Sequence, residues 1–291
     1  MKYKNFLSAH FWLWFVPWIG FLIFSLCLFS HEYEIGNYLL SFCGTSIIAL
    51  LTAMAAFNNM DINEQKKRAR DEYLAYVELL QIITERYYIL RDLIGHSNRN
   101  NHVDVFFRGV YTPYIIPVKS LKQPDFGRFY FLSRKLSGKH KVGEEVAENL
   151  QAFNIVYYTQ LERNLNSILH SIERKNELYE TEILPVLSKL EYLGSGTPSV
   201  QPKNFSGKLS FLEFTNFLQL SEDLNNHLCM LVRDYLNLAN CLNKEARDLF
   251  DDEIINENGG FTTLNLPDDD SFNYVPLSKA QLSILNGKGY P

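Results

Sequence analysis

Two uninterrupted apolar runs open the chain, and long stretches of helical period follow them. The first run, "FWLWFVPWIGFLIFSLCLF", extends from Phe11 to Phe29 without a charge. At about 1.5 Å per residue it reaches about 28 Å, close to the ~30 Å hydrocarbon thickness of a bilayer. Trp12, Trp14 and Trp18 crowd its start, where indole rings favour the headgroup boundary, and Pro17 bends its first turns. A cleaved signal peptide fits less well, because the run is long for an h-region and "SHEYEIG" follows instead of a small-residue cleavage site. The second run, about Tyr38 to Phe57, begins after a short loop, so the pair predicts an antiparallel hairpin of membrane spans.

Within the second run, Ser41, Thr45, Ala49 and Ala53 recur every four residues, with Gly44 and Ala56 beside them. Lipid tails are as apolar as leucine, so small residues that admit a neighbouring backbone are what hold membrane helices together. This thin face is expected to meet another helix. The helix is either the first span near Gly20 or a copy of the same segment in a homo-oligomer. Two spans cannot enclose a pore, so any breach of the membrane needs several chains.

After Asn58 the period turns helical. Tyr73, Val77, Leu80, Tyr87, Leu90 and Ile94 form one stripe. Val142–Leu193 carries a second, running through Val146, Leu150, Phe153, Tyr157, Leu161, Leu165, Ile168, Ile172, Tyr179, Ile183, Val186 and Leu190, with Pro185 expected to kink or divide it. "GSGTPSVQPKNFSGK" (194–208) reads as a flexible connection. A third stripe follows: Phe214, Leu218, Leu224, Leu228, Leu231, Tyr235, Leu238, Leu242 and Leu249. The fold class expected is all-α, a two-helix membrane hairpin (residues 1–57) followed by an antiparallel bundle of long helices (58–257). Residues 258–291 read as an acidic linker and a short helix. There Ser278 and Gln281 have capping-box spacing ahead of Leu282, Ile284 and Leu285. That helix either folds back onto its own bundle, the preferred reading, or serves as a tethered docking peptide.

Charge sets the direction of the hairpin. Lys2 and Lys4 precede the first span, and Lys66, Lys67, Arg68 and Arg70 follow the second, while the loop holds Glu32 and Glu34 and no Lys or Arg. The positive-inside rule then places both termini in the cytoplasm.

Residues 96–141 break the helical rhythm with nine Lys or Arg against Asp104 and Asp125, interleaved with aromatics from Phe106 to Phe131. "VDVFF" and "YIIPV" are candidate short strands. Aromatics capping the bundle with solvated charges is the first reading, an anionic membrane surface the second, and single-stranded nucleic acid the last. Nine acids between Glu245 and Asp270 face only Arg247, and attraction to them would absorb much of the basic charge. The net charge of −5 also argues against a general nucleic-acid binder.

No chemical motif stands out. His96 and His102 are six apart, which is no metal-ligand step on a helix, and neither HExxH nor GxSxG occurs. A P-loop at Gly207-Lys208 fails at Pro202 and Leu209. His170 and Glu173 share a helix face, an arrangement common in solvent. The cysteines (27, 43, 229, 241) have no CxxC spacing and suggest a reducing compartment. No catalytic residue, cofactor or metal site is therefore expected, and the reading is of a non-enzyme.

In layout, carried by "FWLWFVPWIGFLIFSLCLF", "SFCGTSIIALLTAMAAF" and the "KKRAR" flank, the whole chain resembles the two-span transmembrane effectors of bacterial anti-phage systems, including those encoded beside retron reverse transcriptases. The resemblance implies an effector that a cytosolic protein or ribonucleoprotein partner holds inactive, and that disrupts the membrane when released. The alternative is an inner-membrane scaffold or sensor adaptor that uses the hairpin only as an anchor.

Overall fold

The computed structural model describes residues 19–27, 33–97, 108–111, 114–116, 121, 123–139, 148–189, 205, 207–268 and 272. The tryptophan-rich start of the first run, "VDVFF", most of the 194–208 connection and the 278–285 helix lie outside them. Among the described residues the chain is helical and holds no strand, in keeping with an all-α fold. The chain falls into two compact units, residues 1–68 and 69–291.

In the first unit, residues 19–27 form α1, and α2 begins at Tyr33. α2 runs unbroken to Ser97, 65 residues, so the second apolar run and the first helical stripe belong to one element. Nothing between Phe57 and Tyr73 could stop it. "NNMDINEQKKRARDE" has no Pro or Gly, and i,i+4 pairs such as Gln65–Asp61 (2.9 Å) and Arg68–Glu64 (3.4 Å) support it. Residues 55–68 are exposed all round.

In the second unit, α2 from Tyr73 onward shares a core with α5 (Ile155–Leu178) and α7 (Phe211–Glu245). The expected stripes supply it. Tyr73, Leu80, Tyr87 and Leu90 come from α2, Leu161, Leu165, Ile168 and Ile172 from α5, and Leu224, Leu228, Leu231, Leu238 and Leu242 from α7. Shorter elements complete the unit: α3 (Arg108–Tyr111), a 3-10 helix Phe126–Leu132 leading into α4 (Ser133–Lys139), a 3-10 helix Glu148–Phe153, α6 (Leu184–Leu187), and α8 (Asp252–Glu257).

The second stripe is not one helix. Asn154 adopts an extended backbone and its side chain accepts from Val156 N–H, so it caps α5 and separates it from the 3-10 turn before it. Leu150 and Phe153 still reach the core because the turn keeps their direction. At the other end, Pro185 has no N–H for the Thr181 carbonyl and crowds it. The helix answers by widening to a π turn at Tyr179–Ile183, where Leu184 N–H bonds back to the Tyr179 carbonyl. α7 starts at a reciprocal capping box between Ser210 and Glu213, whose carboxyl the Ser210 bonds hold below its usual range.

Two segments without helical period are packed in place. The end of the 194–208 connection is anchored by Phe205, fully buried and stacked on Phe214 at 4.6 Å, with Gly207 at φ +77° closing the turn. Tyr114–Ile116, a candidate strand, carries no strand pairing. Its polar backbone is satisfied instead by a side chain, because buried Asn176 accepts from Ile115 N–H at 3.2 Å and donates to Ile115 O at 2.6 Å.

Candidate functional site

The chemistry of the first unit is that of an apolar surface. An 18-residue window of α2 has a mean hydropathy of 2.0, yet only 6% of it is buried, and Asn37–Ser97 is long and apolar enough to cross a membrane. A core helix of similar composition would bury most of that window. Phe42, Ile48, Leu51 and Phe57 stand exposed, while the segment's hydroxyls are satisfied internally: Thr45 donates to Ser41 O and Phe42 O at 3.0 Å, and Thr52 to Ile48 O at 2.8 Å. A helix surrounded by hydrocarbon needs both properties.

α1 meets α2 through a different face from the one that the small residues suggest. Ser25 and Cys43 are both fully buried, with Oγ and Sγ 3.6 Å apart, and Ser25 also donates to Phe21 O at 2.8 Å. Half-buried Leu39, Leu40, Ser46, Ile47, Leu50 and Met54 continue that seam. Ser41, Thr45, Ala49 and Ala53 lie away from it, all exposed, and a Cβ on Gly20 or Gly44 would touch nothing within 4 Å. Among the described residues the four-residue face is exposed rather than packed on α1, and the seam at Cys43 that α1 does meet has no compositional mark. Lys66, Lys67, Arg68 and Arg70 are exposed.

In the second unit three residues of the basic, aromatic segment, Arg128, Arg134 and Lys135, are paired from within. Arg128 meets Glu78 at 2.7 Å, Arg134 pairs with Glu72, and Lys135 reaches Glu245 O at 2.8 Å and Asp248 at 3.2 Å. Only the last of these uses the acidic C-terminal region. The two arginines take acids from α2. Phe129 and Phe131 are buried in the core, whereas Tyr130 is exposed.

Residues 261–268, read from sequence as a linker, form a strap laid across α2 and α7. The Asn243 carboxamide grips the backbone of Leu264, donating to its carbonyl at 2.6 Å and accepting from its N–H at 2.7 Å. The Tyr73 hydroxyl donates to Gly260 O at 2.6 Å and accepts from Thr262 N–H at 3.1 Å, Tyr87 donates to Pro267 O, and Arg233 donates to Phe272 O at 3.2 Å. Phe261 stacks on Tyr76 at 5.6 Å, and Phe272 is buried edge-on to Tyr87 at 6.3 Å.

The interior of this unit is unusually ionic. Arg86 and Glu162, 2% and 3% exposed, form a forked pair, with Nε to both carboxylate oxygens at 3.2 Å and a terminal guanidinium nitrogen at 3.1 Å. Lys175 is fully buried beside the Tyr179 ring, and burial pulls its ammonium down to about 8. A groove of about 350 Å³ is lined by Tyr157, Asp234, Asn237, Cys241, Lys244 and Glu245 among others. Burial raises the Asp234 carboxyl and, with Glu245 nearby, the Cys241 thiol. A thiol so raised stays protonated at neutral pH and is a weak nucleophile. His170 and Glu173 do pair, at 3.6 Å, on an exposed face. No group of three metal-ligating side chains occurs among the described residues.

No family model, curated protein or solved structure matches the chain.

Proposed function

We propose that the protein is an inner-membrane effector whose apolar segment self-associates and breaches the bilayer once a cytosolic partner complex releases it. In this reading α1 and the start of α2 form a two-span hairpin, both termini lie in the cytoplasm, and α2, α5 and α7 make an antiparallel bundle there. The observation that carries it is the apolar window of α2, which is almost wholly exposed in the single chain. Within that window the thin face Ser41–Thr45–Ala49–Ala53 points away from the Cys43 seam, which leaves it available to another copy. The Ser25–Cys43 contact supports pairing of the two spans, and the Lys66–Arg70 cluster supports the direction. The partner acts as a population shift, binding the closed state several kcal/mol better than the open one.

Inducing the full chain alone in a bacterial host tests this directly. Loss of membrane potential and arrested growth are expected, and normal polarisation at high expression contradicts the reading. A membrane-anchored scaffold is the competing reading, favoured by the groove along α7 at Asp234 and Cys241. Exchanging residues 1–57 for an unrelated two-span anchor separates them, since a scaffold keeps its function and an effector loses it.

A further inference from the structure

We propose that the cavity between α5 and α7 beside Asp234 binds a primary alkylammonium group. The inference goes beyond the membrane reading and does not depend on it. The cavity holds about 240 Å³, and α5 lines it with Asn164, Ser167 and Ile168, α7 with His227, Met230 and Asp234. On each helix these residues follow at steps of three and four, which brings them to one face. Asp234 also lines the groove of about 350 Å³ further along α7, so its carboxyl is common to both spaces.

Glu72, Glu78, Glu162 and Glu245 each meet an arginine or lysine. Asp234 is half-buried and takes neither an ion pair nor a hydrogen bond from any described residue, and the side chains of Asn164, Ser167 and His227 are likewise unengaged. The neighbouring cations point elsewhere. Arg233 donates to the Phe272 carbonyl, and Lys244 lies ten residues on, about 15 Å along the helix. A carboxylate partly withdrawn from water and given no donor is compensated when a cation enters beside it. One carboxylate is too few for a calcium site, which takes six to eight oxygens, and it repels an anion. A primary ammonium brings three N–H donors and no acceptor. The Asp234 carboxylate, the Ser167 hydroxyl and the Asn164 carboxamide oxygen offer acceptors for them, while buried Ile168 and the Met230 thioether give the attached carbon chain an apolar wall. A free amine and a lysine side chain both carry this group.

NMR of the full chain, purified in uncharged detergent with isotope-labelled methionine methyl groups, tests this, because Met230 lines the cavity and Met230→Leu assigns its signal. Butylammonium should shift that signal saturably. Tetramethylammonium, a cation without N–H, and butyrate, a similar chain of opposite charge, should not. Asp234→Asn should weaken butylammonium binding about tenfold or more, and Ser167→Ala, on an exposed position of α5, about threefold. The lysine variant of the ligand is read with Nα-acetyl-lysine methylamide. Tighter binding than butylammonium assigns the site to a protein-borne lysine, and equal or weaker binding to a free amine. A Met230 signal that neither amine shifts up to about 100 mM overturns the proposal. So does an equal shift with tetramethylammonium, or an affinity for butylammonium that Ser167→Ala and Asp234→Asn both leave unchanged. Should Asp234→Asn fail to fold, Ser167→Ala decides alone.

Discussion

Arg86 on α2 and Glu162 on α5 face each other inside the second unit, with the guanidinium Nε 3.2 Å from both carboxylate oxygens and both side chains almost fully buried. The pair ties two elements 76 residues apart in sequence. Removing Glu162 leaves the buried Arg86 guanidinium compensated only in part, by the exposed Glu85 carboxylate 3.3 Å away. Glu162→Ala should therefore cost about 3–5 kcal/mol, while Arg86→Met with Glu162→Leu should be close to neutral. Denaturant titration of the detergent-solubilised protein measures both. A single variant costing under about 1 kcal/mol would show the pair to be solvated.

Lys175 gives stability a pH dependence of known sign. Its folded value, about 8, lies below its ordinary 10.5, so between those limits the unfolded chain binds the extra proton and stability rises with pH. The full shift corresponds to roughly 3 kcal/mol. Below pH 8 both states are protonated and the slope vanishes. Above about pH 10 the raised hydroxyls of Tyr76, Tyr158 and Tyr235 work the other way, because unfolded tyrosines ionise there first. Lys175→Met should abolish the rise between pH 8 and 10, as measured by denaturant midpoints across that range.

Asn176 substitutes for a strand partner of Ile115. Asn176→Ala leaves a buried N–H and C=O unpaired, with an expected cost of about 1–3 kcal/mol. Hydrogen exchange should quicken at the Ile115 amide and stay unchanged at the centre of α5. Unchanged exchange at Ile115 would place its protection elsewhere.

Ser25 and Cys43 offer a geometric check on the pairing of α1 with α2. With Cys27, Cys229 and Cys241 replaced by alanine, Ser25→Cys should form a disulfide with Cys43 on mild oxidation in membranes, read by mass spectrometry of the digested protein. Placing cysteine at Ala49 instead should give no bond within the chain, since Ala49 lies off that seam.

Periodic burial was legible in the sequence, and most else was not. Leu161, Leu165, Ile168 and Ile172 advertise a helix face because one helix turn brings them together. Asn154 and Pro185 modify that helix by single-residue chemistry, and only the proline announces itself. The strap left no period to read. Its grip comes from Tyr73 and Asn243, 187 and 21 residues from their partners, acting on backbone atoms that every residue possesses. Likewise the basic cluster was visible, but not that Glu72 and Glu78 on α2 would neutralise two of its arginines. The thin face was visible as composition, and the seam at Cys43 was not.

Whether the apolar third of α2 resides in a bilayer is decided most directly by alkaline carbonate extraction of membranes containing the full chain. The protein should remain in the pellet and leave it only with detergent. Recovery in the carbonate supernatant would mean that the exposed window from Asn37 onward is covered by protein rather than by lipid.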